Sequence, residues 1–188
     1  MFVRILLVAA FLATSASAQQ RRPAPAQPMV MTSSAWKDGG VIPPKHAQPG
    51  DDVSPPLAWS QVPDGTESFV LIMRDLDAIT IDGTDIHLYW MLWNIPKDAR
   101  ALAEALPETE ELPDGTRQIS SSGPWYRGPA APPPGPAHHY AFELYALNAR
   151  LDVPAVGQSP AATEAAVRAA MIGKIVGKGT LIGLFKRN

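Results

Sequence analysis

Residues 68–77 read Ser-Phe-Val-Leu-Ile-Met-Arg-Asp-Leu-Asp, an unbroken apolar run between an Asp64-Gly65 turn signal and an acidic turn. Apolar residues without alternation suit a strand covered on both faces. The chain should therefore place other layers above and below this segment. Three further stretches read as strands. Ile86–Ile95 (IHLYWMLWNI) is β-branched and aromatic and ends at Pro96, and His138–Leu147 (HHYAFELYAL) is rich in aromatic residues. Thr180–Lys186 (TLIGLFK) is the last. Two helices are expected. Asp98–Leu106 is short and stopped by Pro107. Ser159–Val176 opens with an N-cap serine and Pro160 at the first helical position. On the second, Val167, Ala170, Met171 and Ile175 fall on one face, which should pack on the sheet. A mainly β fold is the expectation.

Composition agrees and excludes several function classes. Twenty prolines in 188 residues are roughly double an average of about 5% and argue against a helical bundle. A net charge of −2 gives no basic excess to drive counterion release, so nucleic acid is a poor partner. The absence of cysteine excludes disulfides, thiolate zinc sites, cysteine nucleophiles and lipid attachment through a leader cysteine. Residues 1–18 read as a secretory signal, with Arg4, the apolar run Ile5–Ala13 and Ala16-Ser17-Ala18 as the cleavage site. Nine apolar residues fall short of the roughly 20 that span a bilayer, so no membrane span is expected. Residues 19–30, with the proline-rich QQRRPAPAQP, read as a solvated tether, and residues 31–188 as a single domain.

Three groups of polar residues sit on or beside apolar strands. Asp75 and Asp77 follow the buried run and would share a side of an extended segment. His87 and Tyr89 lie two apart on a strand, with Met91 and Trp93 continuing their face. His138 and Tyr140 share a face behind the Gly128–Gly135 loop (GPAAPPPG), while His139 points to the other. That loop is poor in backbone donors and forms a stiff apolar wall. Imidazole and phenol donors beside such a wall suit a small anion or phosphoryl group. A neighbouring aspartate would orient the imidazole and add a charge-assisted bond. No G-x-S-x-G elbow, H-E-x-x-H, P-loop or G-x-G-x-x-G occurs. Asp75, Asp77, His87 and His138 have no diagnostic metal spacing, and neither a metal nor a cofactor is expected.

In chain order, Ser34-Ala35-Trp36-Lys37-Asp38-Gly39-Gly40, then Asp52-Val53-Ser54-Pro55-Pro56-Leu57-Ala58-Trp59, the Asp75-Leu76-Asp77-Ala78 turn, Trp90–Pro96 and Gly128–Tyr140 resemble the phosphatidylethanolamine-binding protein family, most of all its bacterial Raf kinase inhibitor-like branch. The resemblance runs from Thr32 to Arg187. It implies a large antiparallel sheet, a smaller second sheet and peripheral helices. It also implies a pocket for anionic groups such as the phosphate of a phospholipid headgroup. By position Asp75 matches the first aspartate of the family's D-P-D-A-P turn, and His138 and Tyr140 match its H-R-Y segment. Gly128 and Pro129 match the loop lining the pocket. Leu76 and Ile79 replace the turn's two prolines, and His139 stands where arginine is usual. The family's other pocket histidine falls at Tyr89, so either Tyr89 supplies a phenol donor or His87 substitutes from one pleat away.

The leading expectation is an exported, periplasmic or extracellular, non-enzymatic binder of a small anionic or phosphoryl ligand. Its ligand-binding residues are Asp75, Asp77, His87, Tyr89, Gly128, Pro129, His138 and Tyr140. A second is an inhibitor-like protein docking an extracytoplasmic protein partner through Trp36, Trp125 and Tyr126. A hydrolase using Asp75 and His138 as an acid–base pair is a minor third.

Overall fold

The computed structural model of the chain describes residues 25–79, 86–154 and 159–187, with backbone alone at 79, 86 and 87. The strands are β1 (Gln27–Pro28), β2 (Val30–Thr32), β3 (Gly40–Val41), β4 (Leu57–Ser60), β5 (Ser68–Ile79), β6 (Ile86–Pro96), β7 (Ala101–Leu102), β8 (Arg117–Ile119), β9 (His138–Leu147) and β10 (Ile175–Phe185). One α-helix, α1 (Pro160–Met171), precedes β10, and a single 3₁₀ turn covers Pro44–His46. The large sheet runs β1-β10-β9-β5-β6-β8, with β3 also on β10, and a three-stranded sheet runs β2-β4-β7.

The unalternating run of β5 is central and buried on both faces. Phe69, Leu71 and Met73 join Phe142, Leu144 and Leu181 in a core closed by the small sheet through Met31, Leu57 and Trp59. Val70 and Ile72 join Met91, Trp93 and Leu147 in a second core under α1, which contributes Val167 and Met171. A continuous hydrophobic sequence results because each successive side chain enters a different dry layer. The inner face of β10 carries glycine at 177, 179 and 183, and the N-terminal segments cross there. A Cβ at Gly179 would stand 3.1 Å from the Met29 carbonyl oxygen, so only glycine admits that crossing without displacement.

Four expectations need correction. Asp98–Leu106 is no helix: it holds a turn and β7, where Leu102 pairs with Leu57 at the edge of the small sheet. Nine residues cannot sustain a helix alone, and burial of Leu102 in the strand wins. The helix expected over Ser159–Val176 begins as read, with the Ser159 hydroxyl accepting from the Ala162 amide at 3.2 Å. It ends at Met171, because Gly173 takes φ 76 and turns the chain into β10, so Ile175 belongs to a strand. The large sheet is mixed: β1 and β3 run parallel to β10. Finally, the tether's end is not solvated coil, since Gln27 and Pro28 pair with Gly177 and Lys178 and Met29 is buried. Residues 1–18, the expected leader, lie outside the described residues.

Candidate anion-binding site

The site forms where β5 ends and β9 begins. The two strands pair antiparallel, with Asp75 opposite Tyr140. Strand alternation then turns Asp75, His138 and Tyr140 to the same face as Met73 and Phe142. Asp75 is 1% exposed, and its Oδ2 lies 2.8 Å from His138 Nδ1. Its Oδ1 accepts from the amides of Asp77 at 2.9 Å and Ala78 at 3.2 Å. Three donors therefore occupy this carboxylate, which satisfies a buried charge and leaves little capacity for a cation. The His138 side chain keeps 16% exposure, so the ring edge opposite Asp75 reaches solvent. With Nδ1–H donated to Asp75, Nε2 is the ring nitrogen left toward solvent, an acceptor in the neutral ring and an N–H donor in the imidazolium.

Tyr140 plays a different part from the expected ligand donor. It is fully buried, and its hydroxyl accepts from the amides of Ala130 at 3.2 Å and Ala131 at 3.1 Å. Its own proton goes to Tyr89, with which it shares a side-chain hydrogen bond. The two rings meet edge to face, centroids 5.2 Å apart. Burial raises both phenols above the ordinary tyrosine value, so both stay protonated donors at neutral pH. Tyr140 thus pins the Gly-Pro loop as a positioning residue. From the other side, Asp52 Oδ1 accepts from the Gly128 amide at 2.7 Å, and Gln48 donates through its side chain to Gly128 O and through its amide to Pro129 O. Tyr140→Phe keeps the ring and removes the acceptor of two buried amides. It should cost about 1–3 kcal/mol in urea denaturation and loosen the loop without removing His138.

Tyr89 reaches the site through a β-bulge. Trp90 pairs with Met73 and Leu88 with Arg74, so two steps on β6 match one on β5. Tyr89 and Trp90 both turn toward the inner core, whereas Leu88, Met91 and Trp93 lie in the core under α1. Met91 and Trp93 therefore do not continue the face of Tyr89, contrary to plain alternation. The extra residue re-aims the side chain, as bulges beside functional sites commonly do. The side chain of His87 lies outside the described residues.

Asp75 and Asp77 do not converge. Asp77 Oδ2 is 2.8 Å from His139 Nδ1 and accepts the His139 amide at 2.5 Å, on the opposite side of β9 from His138. That amide, ahead of the imidazole, holds the Asp77 carboxyl below its ordinary value. The Asx-type turn at Asp75 rotates the chain between the two carboxylates, so the second pair is exposed and separate. Among the described residues no group of three or more His, Asp or Glu side chains could hold a metal ion.

Two of three aromatic residues expected as docking anchors are buried instead. Trp36 donates through Nε1 to Ile182 O, and the Tyr126 hydroxyl donates to His46 O. Trp125 is half-buried and folds over Gly123. Sequence reasoning missed Asp52 and Gln48, which hold the loop from a distant segment, and Arg127 and Arg187, whose charges act on Tyr89. Their only signal is the run of turn-forming residues around Gln48–Asp52, which is silent about its partner.

A family model described as Phosphatidylethanolamine-binding protein matches residues 32–186. A UPF0098 protein of Methanothermobacter thermautotrophicus is 38% identical over 161 residues, covering 85% of this chain and 99% of its own. LppC of Mycobacterium tuberculosis, named a candidate lipoprotein, is 30% identical over 167 residues, covering 87% and 76%. Among solved structures, CT736 of Chlamydia trachomatis superimposes with a TM-score of 0.71 at 28% identity, covering 87% of this chain and 100% of that one. With its β-rich core, its Asp75–His138 pair and a family match over nearly all the described residues, the chain belongs to the phosphatidylethanolamine-binding protein family.

Proposed function

We propose that the protein is a non-enzymatic receptor for a small phosphoryl-bearing or other anionic ligand, such as a phospholipid headgroup. The observation that carries this reading is a buried carboxylate filled by three donors behind an imidazole whose outer edge is exposed. In its imidazolium form such a pair presents an N–H donor to solvent, and that donor selects an anion over a cation. Tyr89 adds a protonated phenol on the same side, and the Gly128–Ala131 segment gives an immobile wall. Asp75 and Tyr140 act through their neighbours rather than on a guest, which favours binding over an acid–base reaction.

Export is part of the same proposal. Its basis is the leader-like Met1–Ala18 segment, and the name of the LppC relative is consistent with it. No described helix is long and apolar enough to cross a membrane. A docking role for a protein partner has less support, because Trp36 and Tyr126 are committed to internal hydrogen bonds.

Isothermal titration with inorganic phosphate tests the reading. The wild-type chain should bind saturably. His138→Gln should bind at least about tenfold more weakly, the loss of one charge-assisted bond, with its unfolding transition retained. Equal affinities in the two proteins would overturn it.

A further inference from the structure

His46 is a buried imidazole that takes no part in the anion site. It ends the 3₁₀ turn Pro44–His46, is 2% exposed, and packs against Trp36 with ring centroids 6.3 Å apart. Its Nδ1 lies 2.8 Å from the Val53 carbonyl oxygen. A carbonyl oxygen only accepts, so Nδ1 carries the proton and the neutral ring has its lone pair at Nε2. Nε2 in turn lies 3.7 Å from Glu104 Oε1. With the ring neutral, two acceptors face each other. A proton on Nε2 turns the same contact into an attraction between unlike charges.

Glu104 is held ready for this contact. Its other oxygen is 2.7 Å from Lys45 Nζ, and that hydrogen bond draws the carboxyl below its ordinary value. It is therefore ionised throughout the range in which an imidazole titrates. The two amides that follow it, Ala105 and Leu106, donate to the Ser54 carbonyl and hydroxyl at 3.0 and 2.8 Å. Tyr126, whose hydroxyl donates to the His46 carbonyl, is kept neutral by burial. Asp52 is engaged by the Gly128 amide, and its charge is set against those of Arg127 and Glu108. Glu104 is the carboxylate that meets the ring.

His46 also stands in the frame behind the Gly-Pro loop. Its segment carries Gln48, bonded to Gly128 O and Pro129 O, and Asp52, bonded to the Gly128 amide. Through Pro44 and Pro49 the same segment walls a cleft against Phe185 and Arg187. Nδ1 closes this segment on itself at Val53, and Nε2 points to the turn that closes it from outside.

From this geometry we infer that His46 is an acid-operated strut. On taking up a proton, its ring bridges the Val53 carbonyl and the Glu104 carboxylate and tightens the segment that backs the Gly128–Ala131 loop. The Glu104 contact is favourable while the ring is charged and is lost as rising pH removes the proton. The strut operates whether or not an anion binds at His138, so it stands or falls separately from the proposed function.

Hydrogen exchange of the full chain tests it, at about pH 5.5 and about pH 7.5, on either side of a free imidazole. The amides to read are Gln48 and Gly128, which donate to Pro129 O and Asp52 Oδ1. After correction for intrinsic rates, Glu104→Gln should speed exchange at both by about threefold at the acid pH. At the higher pH it should leave them unchanged or slower, because a glutamine amide can donate to the neutral ring. His138 and His139 titrate alike in both proteins, so their effects cancel in the comparison. Lys45→Gln keeps the carboxylate and should keep the acid-specific protection. An equal effect of Glu104→Gln at the two pH values would overturn the strut. So would loss of the acid-specific protection in Lys45→Gln, or a ¹H–¹⁵N spectrum showing His46 Nε2 unprotonated at the acid pH.

Discussion

Asp75→Asn should lose phosphate binding and be less stable than the wild type by about 2 kcal/mol, with Asp75→Ala losing about 3–5 kcal/mol. The carboxylate is buried and accepts three hydrogen bonds. Asparagine can still cap the Asp77 and Ala78 amides through its carbonyl, but its amide then faces His138 Nδ1. Donor meets donor unless the ring changes tautomer, and the imidazole loses the group that orients it. Alanine strips all three donors of their partner at once. Urea denaturation midpoints, read beside phosphate titrations, check both statements. An Asn variant as stable and as tightly binding as the wild type would show that the pair organises nothing.

Gly128→Ala should be the most damaging single-methyl addition in the site loop, at about 2–3 kcal/mol by thermal or urea unfolding. Gly128 is not in a left-handed conformation, so the cost is purely steric. A Cβ there would be driven into the His46 carbonyl oxygen, 2.7 Å from Asp52 Oδ1 and 3.0 Å from the Ala47 Cα. All three belong to the segment that carries the Pro44–Pro49 wall, so the methyl pushes the two loops apart and breaks the Asp52–Gly128 bond. Gly135→Ala in the same loop is the control. Its Cβ would meet only the Pro132 oxygen at 3.4 Å, an ordinary contact, and its stability should stay within about 0.5 kcal/mol of wild type. Near-equal losses for the two would mean that the close loop packing does not matter.

How legible this molecule is from its sequence depends on where the deciding contact lies. The run at 69–73 is readable because burial on both faces writes itself as an unbroken apolar string. The start of α1 is readable because a serine cap followed by proline is local chemistry. Alternation alone puts His138 and Tyr140 on one face; Asp75, on another strand, was grouped with them only through the family resemblance, and the structure bonds it to His138 directly. Alternation fails at Tyr89, because the bulge opposite Met73 and Arg74 is set by pairing with β5. It fails again at Asp77, where capping by Asp75 rotates the backbone. β7 was hidden because its partner Leu57 is remote and only two residues are paired. Tyr140 was identified as a site residue but not as the anchor of the loop, since its partners are main-chain amides that no residue type advertises. Arg127 and Arg187 stayed invisible for a similar reason: only the closed fold brings a loop and the end of β10 to one phenol.

The central claim is that an anion is received at the outer edge of the His138 ring. The most direct test is a long-range ¹H–¹⁵N spectrum of the four histidines during a titration with inorganic phosphate. The account predicts a saturable shift at His138 Nε2. Nδ1, held by Asp75, should move less, and His46, buried with Nδ1 against the Val53 carbonyl, should not move. Saturable phosphate binding that leaves both His138 nitrogens where they were would contradict it.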